Sequence, residues 1–314
     1  MTAPAPDNYQ RRFERRWGHL RQSRVRALAW LLDAPDLLDA GDPSWQGRIA
    51  SIGQLGPATD AWLTRIDADA SGLDAELGPR AYTRLGLYAE KLMAFYYREH
   101  GRLVAHGLQV RAAGSNTVGE FDFLLDAGPG GVEHIEFATK FYLLEGEAAS
   151  RLDTFVGPNL ADSLGAKMRK IFDKQLALGS HPAARDVLPR PVVMARALVK
   201  GWLFYPADRA SSMAGISDQH CRGFWCALEE SAALEGQWFV VLPKLQWLAP
   251  YRGNDEALSG DALRQRLARQ FETLPMPVLV ALVNQEQGVW VETARGFIVP
   301  DDWRAKAALR QNMP

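Results

Sequence analysis

Apolar and polar positions alternate most regularly between residues 103 and 143. Three strand-like runs, 103–111, 118–126 and 132–143, are separated there by turn-forming residues. In the second run the two-residue period puts Phe121, Phe123 and Leu125 on one face, with Glu120 and Asp122 on the other. A Gly/Pro turn over 126–131 follows. In the third run Ile135, Phe137 and Phe141 mark the apolar face, and His134, Glu136, Ala138 and Lys140 the opposite one. An antiparallel hairpin with one wet side alternates in the same way, so this pattern alone does not mark a site.

Helical periodicity frames these strands. A helix is expected over 8–33, where apolar residues fill the later half and Pro35 blocks continuation. Further helices are expected near 61–66, over 82–100, over 162–178 and over 260–273. Beyond residue 180 the chain turns strand-rich, with runs at 192–204, 238–242, 278–284 and 289–293. The last two read as a hairpin, although residues 285–288 carry no strong two-residue turn signal. The reading is α/β: a mixed sheet flanked by helices, with a strand-rich C-terminal extension. A weak break at 179–182 divides 1–179 from 180–314, with one continuous domain as the alternative.

The helix around residue 90 departs from simple amphipathicity. At about 100° per residue, Arg84, Lys91 and Arg98 form one polar stripe, while Leu85, Tyr88, Ala89, Leu92 and Tyr96 form the apolar face. Glu90 lies off the charged stripe, beside Gly86, Met93 and Tyr97. A carboxylate in that position is half-buried and needs a partner. Gly86, one turn earlier, would admit a strand or ligand. A plain ion pair with a nearby Lys or Arg would also account for Glu90.

Composition narrows the class. With 47% apolar and 23% charged residues over 314 positions, the chain is globular in character. No run approaches the roughly 20 apolar residues of a membrane helix. The first residues lack the apolar segment of a signal peptide, so no membrane association and a cytoplasmic location are expected. The formal charge of −1 argues against a protein that coats nucleic acid indiscriminately, but leaves room for a local basic groove. Two segments are basic: 11–26, rich in arginine, and Lys167, Arg169, Lys170 and Lys174. Solvated cationic helix faces would look the same.

Other chemistry is thin. His220, Cys221 and Cys226 lack the spacing and second ligand pair of a structural zinc site, so buried thiols are expected. Trp202 and Trp238, inside apolar runs, read as core; Trp247 and Tyr251 read as the better exposed stacking candidates. Phosphate-binding glycine loops, nucleophile elbows and dinucleotide fingerprints are all missing.

Taken in order, Glu90 on a helix, the 119–122 run on a strand, Glu136 to Lys140 on the next strand and a basic helix ending at Gln175 resemble the PD-(D/E)XK, or restriction-endonuclease-like, nuclease superfamily. Within it, the wider pattern from Leu31 to Trp303 resembles an uncharacterised bacterial family called domain of unknown function 1853. The resemblance implies a restriction-endonuclease-like core and metal-dependent phosphodiester hydrolysis of nucleic acid, most plausibly DNA. It implies Mg²⁺ or Mn²⁺ held by Asp122, Glu136 and Glu90, with Lys140 as the catalytic lysine and Gln175, Lys170 and Lys167 facing substrate. Acid and lysine normally stand two residues apart in that superfamily. Here the position two before Lys140 is Ala138, and Glu136 lies two further back. That departure keeps a rival reading open: a nuclease-like module that binds nucleic acid or a protein partner without cleaving. A third reading, an unrelated enzyme using the strand acids otherwise, is weaker.

Overall fold

A computed structural model describes residues 8–79, 81–112, 117–146, 152–206, 213–234 and 237–311. The helices are α1 (Tyr9–Trp17), α2 (Ser23–Asp33), α3 (Pro57–Ala68), α4 (Ser71–Leu77), α5 (Leu85–Glu99), α6 (Leu164–Lys170), α7 (Gly260–Thr273) and α8 (Trp303–Gln311). The strands are β1 (Leu103–Arg111), β2 (Thr117–Asp126), β3 (Val132–Leu144), β4 (Phe155–Val156), β5 (Val192–Pro206), β6 (Cys221–Ala227), β7 (Trp238–Val241), β8 (Arg252–Gly253), β9 (Leu258–Ser259), β10 (Val278–Glu286) and β11 (Val289–Val299).

Among the described residues the strands form one 11-stranded sheet in the order β1-β2-β3-β5-β6-β11-β10-β7-β9, with β4 on β3 and β8 on β11. The β3–β5, β5–β6 and β6–β11 pairs are parallel; the other pairs are antiparallel. The chain is therefore a mixed α/β fold, and its sheet takes strands from both sides of residue 180. In the long β3–β5 ladder Gly201 stands opposite Lys140, and a Cβ there would run into the Lys140 carbonyl. Glycine is what lets the two backbones approach.

The single helix expected over 8–33 is two helices with a turn at 18–22. Arg26 explains the break. Its buried guanidinium donates to the carbonyls of Trp17 and Leu20 at 3.0 and 3.4 Å, and to Pro250 O at 3.1 Å. These accept in place of the helical bonds that end at Gly18. Asp67 caps the start of α2 by accepting from the Arg21 and Gln22 backbone N–H groups. Helices α1, α2 and α5 cover one face of the sheet, where Trp30 stacks on Trp202 at 6.4 Å. Helix α6 covers the other face, against a cluster that includes Ala138, Tyr142 and Met168.

Several readings of single residues change. Trp238 is 48% exposed and packs beside Trp290, whereas Tyr251 is buried and Trp247 is wedged against Phe141 and Phe297. Of the two tryptophans read as core, Trp202 is fully buried and Trp238 is the exposed one. Cys221 and Cys226 are buried free thiols on β6, a strand whose pattern was too short to stand out. The β10–β11 turn has only two residues, Gln287 and Gly288, both at positive φ as a type I′ turn requires. Among the described residues no helix is long and apolar enough to cross a membrane.

Candidate functional site

β2 and β3 are paired from Asp126↔Val132 to Phe123↔Ile135, and there the ladder stops. The next donor on β3, the Phe137 N–H, turns to the Asp122 carboxylate instead, at 2.9 Å. On the other flank Gly107 stands opposite Asp122 and takes φ +64, a conformation most side chains resist. The strand changes sides at this point. Phe121 packs with Leu124, Val132 and Leu178, while Phe123 and Leu125 join the core beneath α5. Strict alternation, which would keep Phe121 with Phe123, fails because Asp122 occupies the turnover.

Helix α5 brings Glu90 to the same place. Met93 and Tyr97 are buried beside it, and Glu90 Oε1 meets His106 Nε2 of β1 at 2.7 Å. His106 in turn stacks on Phe123, with ring centroids 5.3 Å apart. Gly86 is exposed and nothing packs near it, so its smallness serves no close approach here. Glu90, Glu120 and Asp122 each present an oxygen, and the three oxygens lie within 4.8 Å of one another. Glu120 is exposed and accepts from Gln109 Nε2 at 3.2 Å.

Glu136 approaches from β3 and is only 1% exposed. Its Oε1 accepts from the Gln175 side-chain amide, and Gln175 Oε1 accepts from Lys167 Nζ at 3.2 Å. Gln175 ends a single π-helical turn, Ile171–Gln175, which continues α6 and closes with Leu176 N–H donating to Ile171 O at 2.9 Å. Such widened turns place side chains that a regular helix would not. Glu136 Oε2 accepts from no N–H among the described residues and lies 3.7 Å from Nε2 of the fully buried His134, while the carboxyl also bonds that of Asp122.

The electrostatics are those of crowded carboxylates. Burial, then the neighbouring Glu136, hold the Asp122 carboxyl well above the ordinary carboxylate range, against the bond from Phe137. Burial also raises Glu136, with Lys167 opposing it. Burial lowers His134 to about 4 and lowers both Lys140 and Lys167. An all-oxygen donor set of crowded, half-buried to buried carboxyls suits a hard divalent cation.

Of the residues singled out from the sequence, Glu90, Asp122 and Glu136 come together, and Gln175 and Lys167 close over Glu136. Lys140 is held by Asp162, with Nζ 3.7 Å from Oδ2, and Tyr142 donates to the same oxygen at 2.8 Å. Its charge is nonetheless close enough to depress Lys167. Lys170 is exposed on α6, and its charge reaches Glu136. Ala138 is buried in the cluster beneath α6, where a carboxylate would face apolar neighbours. Glu120 and His106 were not singled out. The shared strand face of Glu120 and Asp122 was the available signal for the first; nothing distinguished the second.

A cavity of about 1030 Å³ lies between α1 and the β10–β11 hairpin and contains none of these carboxylates. Two of its acids are already matched: Glu14 by Arg26 and Arg252, Glu292 by Arg295. Among known families, the model described as domain of unknown function (DUF1853) matches residues 26–299. No curated protein and no solved structure matches the chain.

Proposed function

The chain belongs to the DUF1853 family, and from the carboxylate pocket we propose that it is a metal-dependent nuclease of the PD-(D/E)XK type, hydrolysing phosphodiester bonds in nucleic acid, with DNA as the first substrate to test. The observation that carries this reading is the meeting of Glu90, Glu120 and Asp122 within 4.8 Å at the point where β2 and β3 part. A helix-borne acid over an antiparallel β1-β2-β3 meander, followed by a parallel β5, supports a restriction-endonuclease-like core.

In this reading Glu90, Glu120, Asp122 and Glu136 hold Mg²⁺ or Mn²⁺ through oxygen. The bound ion supplies positive charge for the phosphoryl oxygens and acidifies a water. The chain's own residues do the rest. Gln175 and Lys167 fix Glu136 from one side, and His106 fixes Glu90 from the other. Phe137 N–H orients Asp122. Lys167, Lys170 and Lys140 line the approach from α6 and β3 and set a cationic border for a phosphate backbone, as basic contacts to nucleic acid require. Lys140 stands as the catalytic lysine, drawn from Asp162 toward a bound phosphate.

A second reading has its own observation: Lys140 is engaged by Asp162, and the usual acid position is Ala138 in an apolar cluster. That favours a module that binds nucleic acid without cutting it. Incubation of single- and double-stranded DNA and RNA with Mg²⁺ or Mn²⁺ separates the two. Cleavage that disappears in Asp122→Ala and Lys140→Ala upholds the nuclease. Salt-sensitive binding with no product under either ion upholds the binding module. A Mn²⁺ soak then shows which carboxylates reach the ion.

A further inference from the structure

We propose that His134 is a positioning residue for Glu136, donating a hydrogen bond from Nε2 to Oε2 when that carboxylate serves a divalent cation. The inference rests on the reading above that the pocket holds such an ion, and goes beyond it by giving the ion's buried ligand a second support.

His134 and Glu136 are two residues apart on β3 and face the same side of the sheet, 0% and 1% exposed. Their facing atoms, Nε2 and Oε2, are 3.7 Å apart, just beyond a hydrogen bond; neither His134 nitrogen has a partner among the described residues, while the Glu136 carboxyl also meets that of Asp122. A bare buried imidazole is costly. Its packing does not need nitrogen, since the ring meets Phe121 edge-on at 4.8 Å, as a phenyl ring would. What a phenylalanine could not do is donate to Glu136.

The other half of that carboxylate is already tied, through Gln175 to Lys167. The terminal torsion of a glutamate is broad, so a small rotation closes the gap to His134 without moving the backbone. Each carboxylate oxygen has two acceptor directions, so Oε2 can take this bond and still face a cation. Metal-bound carboxylates are regularly held from behind in this way. Lys167 fixes Glu136 at the expense of a positive charge near the ion. His134 needs only one ring N–H to add its bond, from the side of the carboxylate that Gln175 leaves open.

The test measures MnCl₂ binding by calorimetry and thermal melting together, on the full chain and on His134→Phe and His134→Gln. Glutamine carries an N–H donor near the position of Nε2. A positioning role gives a split. His134→Phe binds Mn²⁺ about tenfold or more weakly, while its ion-free Tm equals or exceeds that of the parent. His134→Gln recovers most of the affinity. Equal Mn²⁺ affinity in parent and His134→Phe overturns the inference and leaves the metal reading standing. A parent that binds no Mn²⁺ overturns both. Loss of folding in both variants assigns His134 to the core and also overturns it.

Discussion

Asp122 accepts the backbone N–H of Phe137 at 2.9 Å across the opening between β2 and β3. A side chain here stands in for a rung of the sheet, and that substitution makes the pocket. Had the ladder continued, the Phe137 donor would have been spent on β2 backbone and the strands would have stayed closed. The acid that starts the opening is also the one that Glu90, Glu120 and Glu136 surround.

Asp122→Asn separates the chemistry from the architecture. Asparagine retains an oxygen for Phe137 but loses the charge. Cleavage is expected to fall at least about 100-fold, the scale seen when one electrostatic contact to a transition state is removed. The ion-free protein is expected to melt higher, because a buried repulsion with Glu136 is gone. A gel assay and a thermal melt on the same preparation check both halves.

The pH dependence follows with a definite sign. Asp122 and Glu136 are both raised on folding, so the folded state binds their protons more tightly than the unfolded chain does. Their stabilising effect is complete below the ordinary carboxylate range, about pH 4, and is lost as pH climbs toward neutrality. The Tm advantage of Asp122→Asn over the parent should therefore be small near about pH 5 and widen toward about pH 8. Saturating Mn²⁺ should shrink that advantage by favouring the ionised carboxylates. A flat difference across this range would show that the two acids do not crowd each other.

Glu120→Gln tests a ligand that pattern reading undervalued. The side chain is exposed and accepts one hydrogen bond, from Gln109 at its surface, so the melting temperature should not move. Mn²⁺ affinity should fall about tenfold or more, which calorimetry would detect. Unchanged affinity would remove Glu120 from the ion's surroundings and leave Asp122, Glu90 and Glu136.

Much of this site was legible in the chain because strand and helix periods are local. Glu90 stood off its helix's charged stripe, and it does lie half-buried against β1. The three strands fall within a residue of their expected bounds. The failures came where a side-chain or backbone contact outside the element's own hydrogen bonding overrode the period. Gly107 and Phe137 turn β2 over at Asp122, so Phe121 changes face. Arg26 splits the first helix by satisfying its carbonyls. Asp162 draws Lys140 aside, and a π turn carries Gln175 onto Glu136. His134, a plausible surface residue of a hairpin, is buried because α6 and the segment after it cover that face. Apart from Arg26, which lies 9 and 6 residues from the carbonyls it satisfies, these contacts join positions at least 15 residues apart.

Arg295→Met probes the packing that holds the sheet's far half to the first helices. Arg295 is wholly buried and makes a two-pronged bond to Glu292, at 2.7 and 2.8 Å. It also donates to the carbonyls of Trp247 and Ala249 and lies over Trp202 at 4.2 Å. Methionine keeps most of the volume but strips the buried Glu292 of its guanidinium partner, leaving the Tyr251 N–H at 2.8 Å as its donor among the described residues. Breaking such a pair from one side costs about 3–5 kcal/mol. Glu292→Gln combined with Arg295→Met removes the stranded charge and should regain part of that loss. The remainder belongs to the carbonyls of the 247–249 loop, which lose their donor in both proteins. Urea unfolding of the two variants and the parent gives each share. A double variant no more stable than Arg295→Met alone would mean that the loop carbonyls, and not Glu292, are what the guanidinium is there to satisfy.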